Sequence, residues 1–252
     1  MMNITPTVKQ LLIINIIFFI GSQIVGSQAY GLFSLYYFEN PDFKIWQLLT
    51  HMFMHAPMPN FTHILFNMFA LYSFGSLLEN YWGGKKFLFF YISCGLGAAL
   101  LHMGVNYYSF HEGLDTLIAQ GFSQDEIMAV LNGKNNQELI KILNSPENSS
   151  FIESFFGTVV GASGAIYGLL VAFAFMFPDA RLGLMFIPVP IKAKYFVTGL
   201  LLVDLFLGFK GNSLFGSGGT GVAHFAHLGG ALVGFIMMWY WKKNSFNSNR
   251  WN

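Results

Sequence analysis

The chain has 252 residues, 54% of them apolar and only 10% charged, with a mean hydropathy of +0.50. Soluble domains are roughly 45–50% apolar and about 25% charged, so the composition excludes an ordinary soluble domain and points to a polytopic membrane protein. A net charge of +1 argues against a nucleic-acid partner, and a single cysteine, Cys94, rules out an internal disulfide or a Cys-rich metal site.

Crossing ~30 Å of hydrocarbon takes about 20 apolar residues in a helix. Six windows approach that length, at about 10–28, 63–81, 86–106, 157–177, 194–210 and 224–241. Lys9, the run Leu11–Ile20 and Ser27-Gln28-Ala29 also have the form of a signal peptide. Five further apolar windows make a retained first helix the simpler reading. Between the first two windows, Tyr30 to Thr62 holds Trp46, three prolines, His51 and His55, and does not span. Cys94 lies in the third apolar window and reads as packing. Tyr107 to Phe151 is the hydrophilic stretch. Within it, Glu112–Ala119 and Ser123–Asn132 have helix-like spacing, Ser123 serving as cap with Asp125 and Glu126 in the first turn. Asn132-Gly133 and Asn144–Ser150 read as turns or loose loop. The fifth window is the shortest. No repeat is evident, so residues 1–252 read as one membrane domain with an insertion at 107–151 and a cytoplasmic tail at 242–252.

Charge sets the direction. With a cytoplasmic N-terminus, Lys9, Lys85, Lys86, Arg181, Lys192, Lys194, Lys242, Lys243 and Arg250 fall inside. Only Lys44, Lys134, Lys141 and Lys210 fall outside. The positive-inside rule favours this orientation, with both termini cytoplasmic in a cell (inner) membrane and the insertion on the outer side.

Polar side chains inside spans are costly and default to functional hypotheses. The second, fourth and sixth windows supply them: His63 and Asn67, Ser163 and Tyr167, His224 and His227. All three windows run from outside to inside. Ser163 lies fifteen residues before Pro178, His227 fifteen before Lys242, and Asn67 fourteen before Tyr81. At ~1.5 Å per residue each sits roughly 21–23 Å above the inner boundary, near the outer leaflet. His63 and Asn67 share a helix face, as do Ser163 and Tyr167. Gly161, Gly164 and Gly168 flank the serine, and Gly230 and Gly234 share a stripe with His227. Small residues let helix backbones approach closely. Close approach of the fourth and sixth helices would bring Ser163 within ~3 Å of the His227 imidazole.

Each feature also has a plainer meaning. A membrane serine usually bonds back to a helix carbonyl, and GxxxG is a common packing motif. Metal chemistry is the main competing class, because His51 and His55 are four apart and His224 and His227 three apart. A zinc peptidase needs HExxH, and the string from His111-Glu112 reaches Asp115 instead. No metal and no cofactor are expected. An intramembrane aspartyl protease needs two carboxylates, and only Asp204 qualifies clearly, since Glu79 lies near the inner end of its helix. Asp204 itself reads as a satisfied interfacial carboxylate. A transporter would often show an inverted repeat.

Together these residues resemble the rhomboid family of intramembrane serine proteases in its six-span bacterial form. His63-Ile64-Leu65-Phe66-Asn67 resembles its HxxxN motif, Gly161-Ala162-Ser163-Gly164 its GxSG, and His227 through Gly234 its catalytic histidine with GxxxG. Trp46, His51 and His55 lie in a segment similar to its partly embedded first loop, although the family often has Trp-Arg where this chain has Trp46-Gln47. Glu79 resembles its acidic residue at the inner end of the second helix.

The resemblance implies an all-α integral membrane fold, a six-helix bundle with an embedded first loop and a long extracytoplasmic insertion between helices 3 and 4. It implies a serine-type endopeptidase using a Ser163–His227 dyad without an acidic third member. Asn67 and His63 would serve the oxyanion, and Tyr167, Gly161, Gly164, Gly230 and Gly234 would support the pair. The partners implied are the lipid bilayer and transmembrane protein substrates, cut near the outer leaflet. A catalytically silent relative that binds transmembrane clients is the alternative. Deleting 112–148 is expected to change substrate preference and spare the chemistry.

Overall fold

A computed structural model describes the backbone of residues 3–184, 187–210 and 222–245. Twelve α-helices are present among them. The first, α1 (Pro6–Val25), turns at Gly26 (φ 73°) into the short α2 (Ser27–Phe33). The chain then loops to α3 (Gln47–Thr50). The second window is one helical column, α4 (Thr62–Ala70) and α5 (Ser76–Trp82), joined through a π-helical turn at Leu71–Gly75. Gly83 (φ 77°) lets the chain reverse into α6 (Gly84–Ala119).

At ~1.5 Å per residue α6 is about 54 Å long, well beyond the ~30 Å of hydrocarbon. Residues 112–119, expected as a separate insertion helix, are its continuation. The protruding end carries Phe110, Leu114 and Leu117. They form an outer core with α7 (Gln124–Leu131), α8 (Gln137–Leu143) and α9 (Ser149–Phe156) through Ile127, Leu139, Phe151 and Phe155. Ser123 caps α7 as its spacing predicts, its hydroxyl accepting from the Glu126 N–H while Glu126 accepts from the Ser123 N–H. The stretch expected as loose loop at Asn144–Ser150 is ordered into a 3₁₀ turn, Pro146–Asn148, and the start of α9.

Tyr37 and Asn40 clamp the first loop to this outer layer. Tyr37 is buried in its core, and the Asn40 amide donates to the Phe155 carbonyl at 2.8 Å.

The fourth window is helical only in α10 (Ser163–Met176). Residues 157–161 stay outside the helix, where Val159 and Gly161 bond to the first loop instead, and Ala162 turns the chain into α10. Val159 and Leu35 exchange two bonds of 3.0 Å, and the Gly161 N–H donates to the His51 carbonyl at 2.9 Å. The expected all-helical chain also contains a small hairpin, β1 (Arg181–Leu184) with β2 (Ile187–Lys192), on the lysine-rich side. Beyond it lie α11 (Ala193–Lys210) and α12 (Val222–Ser245). The tail after residue 245 lies outside the described residues. Among the described residues, α1 and α6 alone combine the length and hydropathy to cross a membrane, and α10 is a shorter apolar helix.

Glycines decide how closely α6, α10 and α12 meet. A Cβ placed on Gly234 would stand 2.8 Å from Gly168 Cα, and one on Gly168 2.3 Å from Cys94 Sγ. One on Gly229 would stand 2.6 Å from the Gly97 carbonyl, and one on Gly164 2.4 Å from Ala98 Cβ. These backbones touch directly, so burial and dispersion accumulate without side chains between them. At the opposite end, Glu79 caps α1: its carboxylate accepts from Thr5 Oγ1, the Thr7 N–H at 2.9 Å and the Val8 N–H at 2.8 Å.

Candidate active site

Ser163 opens α10, so its backbone N–H has no acceptor within the helix. Its position is dictated by Gly161, whose φ of 129° only glycine adopts readily. A Cβ at Gly161 would stand 3.0 Å from both Cε1 and Nε2 of His63 and 3.5 Å from Ser163 Oγ.

Ser163 Oγ lies 2.9 Å from Nε2 of His227, within the reach a general base needs. The His227 ring lies flat on Tyr167, with centroids 4.2 Å apart and planes inclined by 11°. Tyr167 is one turn below Ser163 on α10, so one helix supplies both the serine and the platform for its partner.

The two remaining expected residues stand differently. His63 accepts the Ala56 N–H on Nδ1 at 3.1 Å. A neutral His63 therefore carries its proton on Nε2, the atom beside Gly161 and near the serine. Asn67 is buried, but its amide donates back to the His63 carbonyl of its own helix at 2.7 Å. The four-residue spacing brought the two to one face, yet the Asn67 amide is not turned to Ser163.

The first loop holds His63 from outside. Gln47, fully buried, donates to the Asp42 carbonyl at 3.0 Å and accepts the Lys44 N–H at 3.1 Å. His51 Nδ1 donates to the Gln47 carbonyl at 2.8 Å, and Trp46 to the Leu32 carbonyl at 3.0 Å. The departure from Trp-Arg thus leaves a loop anchored by an amide in place of a guanidinium.

Two residues outside the expected set join the site. Asp204, on α11, is buried and hydrogen-bonded through Oδ1 to Nδ1 of His224. The same Oδ1 lies 3.5 Å from Nδ1 of His227. A satisfied carboxylate was expected there, but not one facing the far side of the His227 ring. One signal was legible: Asp204 precedes the outer end of α11 by six residues, ~9 Å, the level counted for Ser163. Among the described residues, Asp204, His224 and His227 are also the only group whose ligand atoms lie close enough together to reach one ion. Asp204 and His224 are hydrogen-bonded directly to each other.

A mostly helical bundle, rich in apolar residues and enclosing a serine–histidine contact beside a buried carboxylate, is a membrane-embedded protein with a polar centre. The rhomboid-domain family model matches residues 42–244, and the chain belongs to the rhomboid family. Proteins of this family act on membrane proteins within the bilayer.

The chain is 27% identical to Rhomboid-like protein 11, chloroplastic, of Arabidopsis thaliana, over 86% of this chain and 59% of that one. It is 26% identical to the mouse (Mus musculus) Presenilin-associated rhomboid-like protein, mitochondrial, over 81% of this chain and 40% of that one. It is 23% identical to Rhomboid protein 1, mitochondrial, of Saccharomyces cerevisiae, over 73% and 39%. The chain spans between about two fifths and three fifths of the length of these curated relatives.

Proposed function

We propose that the protein is an intramembrane serine endopeptidase that cuts transmembrane proteins near the outer leaflet. The observation that carries this reading is the 2.9 Å contact between Ser163 Oγ and His227 Nε2, with the ring held flat on Tyr167. Ser163 Oγ attacks the scissile carbonyl carbon while its proton passes to Nε2. Oγ–C bond formation drives the carbonyl electrons onto oxygen. The imidazolium then gives that proton to the departing amine as the C–N bond breaks, and water hydrolyses the acyl-enzyme by the same route. The developing oxyanion has the Ser163 N–H at the open start of α10 and the His63 Nε2–H as donors. Asn67 can join by breaking its helix back-bond.

The bundle is read as crossing six times, with both termini on the lysine-rich side and residues 107–156 on the other. Charge makes that side the cytoplasm of a cell membrane. The names of the curated relatives, chloroplastic and mitochondrial, favour an organellar membrane as the second placement.

A second reading is a silent relative that binds transmembrane clients, favoured by the Asn67 amide being engaged in its own helix. Labelling by a fluorophosphonate probe decides between them. Labelling of the folded chain, lost in Ser163→Ala and His227→Ala, supports the protease. An unreactive Ser163 in folded protein sinks it. Comparing membrane proteomes of wild-type and Ser163→Ala cells would then identify substrates.

A further inference from the structure

We propose that Asp204 is a positioning residue for the Ser163–His227 pair, holding His227 with its proton on Nδ1 so that Nε2 faces the serine as a base. The inference deepens the protease reading and rests on it for its catalytic consequence, while its structural content stands apart.

The imidazole has two nitrogens, and only one can be the base. Nε2 is in contact with Ser163 Oγ, so it must be the unprotonated one for the serine to donate. Nδ1 then carries the proton and needs an acceptor. Among the described residues, the acceptor in reach is Asp204 Oδ1 at 3.5 Å, the outer limit of a hydrogen bond. Such contacts are often long in an unliganded site and tighten when substrate binds. The carboxylate has capacity for that. Its Oδ2 is buried and accepts from no described residue, while Oδ1 is held by His224.

Position argues against chance. Asp204 comes from α11, His224 and His227 from α12, and Ser163 from α10, so three helices converge on one ring. A carboxylate buried in a membrane protein is expensive and persists only where polar partners compensate it. His224 supplies one such partner. It also fixes the rotamer of Asp204, because the hydrogen bond to His224 Nδ1 pins Oδ1 between the two rings, whose centroids are 6.4 Å apart. When His227 takes the serine proton, the carboxylate beside Nδ1 stabilises the imidazolium, as the orienting acid of a triad does.

The plainer role for Asp204 is a tie between α11 and α12 through His224 alone. The two roles part in Asp204→Leu, which keeps the approximate shape and removes the acceptor that Oδ1 offers to both rings. His227 Nδ1–H then loses that acceptor and the proton moves to Nε2, the wrong tautomer, whereas a tie through His224 alone would leave the His227 tautomer unchanged.

The experiment uses the full chain in lipid nanodiscs with ¹⁵N-labelled histidine, at a pH about two units above the ordinary histidine value of ~6.5. His227 is assigned by the resonances lost in His227→Gln. The expected result is a proton on Nδ1 in the wild type, on Nε2 in Asp204→Leu, and on Nδ1 again in Asp204→Glu. With a transmembrane substrate, Asp204→Leu lowers kcat about 100-fold or more with KM within about twofold, and Asp204→Glu recovers part of it. A wild-type His227 protonated on Nε2 overturns the proposal by itself, even if Asp204→Leu does not fold. So does a folded Asp204→Leu with wild-type tautomer and kcat. A tautomer that moves as expected in a chain whose Ser163 takes no fluorophosphonate upholds the positioning and refutes the protease reading.

Discussion

Gly230 of α12 rests against the backbone of Gly164 in α10: a Cβ at Gly230 would stand 1.8 Å from the Gly164 carbonyl oxygen. That contact lies next to Ser163 on α10 and about one turn from His227 on α12, so it sets the distance between them. Even one methyl group must push the helices apart, because the opposing atoms are backbone and cannot rotate away. Gly230→Ala is expected to reduce fluorophosphonate labelling of Ser163 at least ~100-fold, since ~1 Å of misplacement can cost that much. Gly21→Ala on α1, which meets nothing within 4 Å, is the control and should label like the wild type.

His63 and Asn67 should separate in kinetics. His63 already presents Nε2–H beside Gly161, whereas Asn67 must first break its bond to the His63 carbonyl. His63→Ala is expected to lower kcat by ~10²–10³, the usual cost of one oxyanion donor. Asn67→Ala should cost less. Steady-state kinetics on a transmembrane substrate in proteoliposomes measures both.

The first loop carries a pH dependence. Burial pushes the His51 imidazole down to about 4, and burial with the neighbouring His63 pushes His55 down to about 3. The unfolded chain protonates both near their ordinary 6.5, so it binds protons where the folded state does not. Stability is therefore complete above about pH 6.5 and falls as pH drops toward 4, by an amount on the order of a few kcal/mol. Thermal unfolding in detergent across that range should show the decline. His51→Asn, which keeps a donor for the Gln47 carbonyl and removes the titration, should make it shallower.

Glu79 is the only acceptor among the described side chains for the first turn of α1. Glu79→Gln keeps one oxygen and loses the charge that favours a helix N-terminus. The expected loss is about 1–2 kcal/mol, seen as a lower Tm with labelling of Ser163 retained.

Deleting 112–148 removes Leu114, Leu117, Ile127, Leu131, Leu139 and Leu143 and strips the cover from Tyr37, Phe110, Phe151 and Phe155. The expectation of an altered preference with intact chemistry therefore gives way to a different one. The deletion should lower Tm strongly, and labelling of Ser163 should fall with it. Leu35, near Tyr37, pairs with the Val159 strand that leads to Gly161. Tm and labelling measured on the same preparation check this.

The mostly helical fold, the glycine spacing and the sharing of helix faces were legible from the sequence, since each depends on a fixed rise per residue and on a solvent that penalises polar groups. That reading reached Ser163, His227, Tyr167 and His63 and the close approach of their helices. Tertiary structure alone decided three other things. Residues 157–161 look apolar enough for a helix, but Val159 and Gly161 spend their hydrogen bonds on the first loop, which makes Ser163 the opening residue of α10. The Asn67 amide turns to a local carbonyl, a choice of rotamer that spacing does not encode. Asp204 meets His227 because α11 packs against α12, and the rotation of one helix about its axis against another is set by side-chain packing, not by the order of residues along either chain.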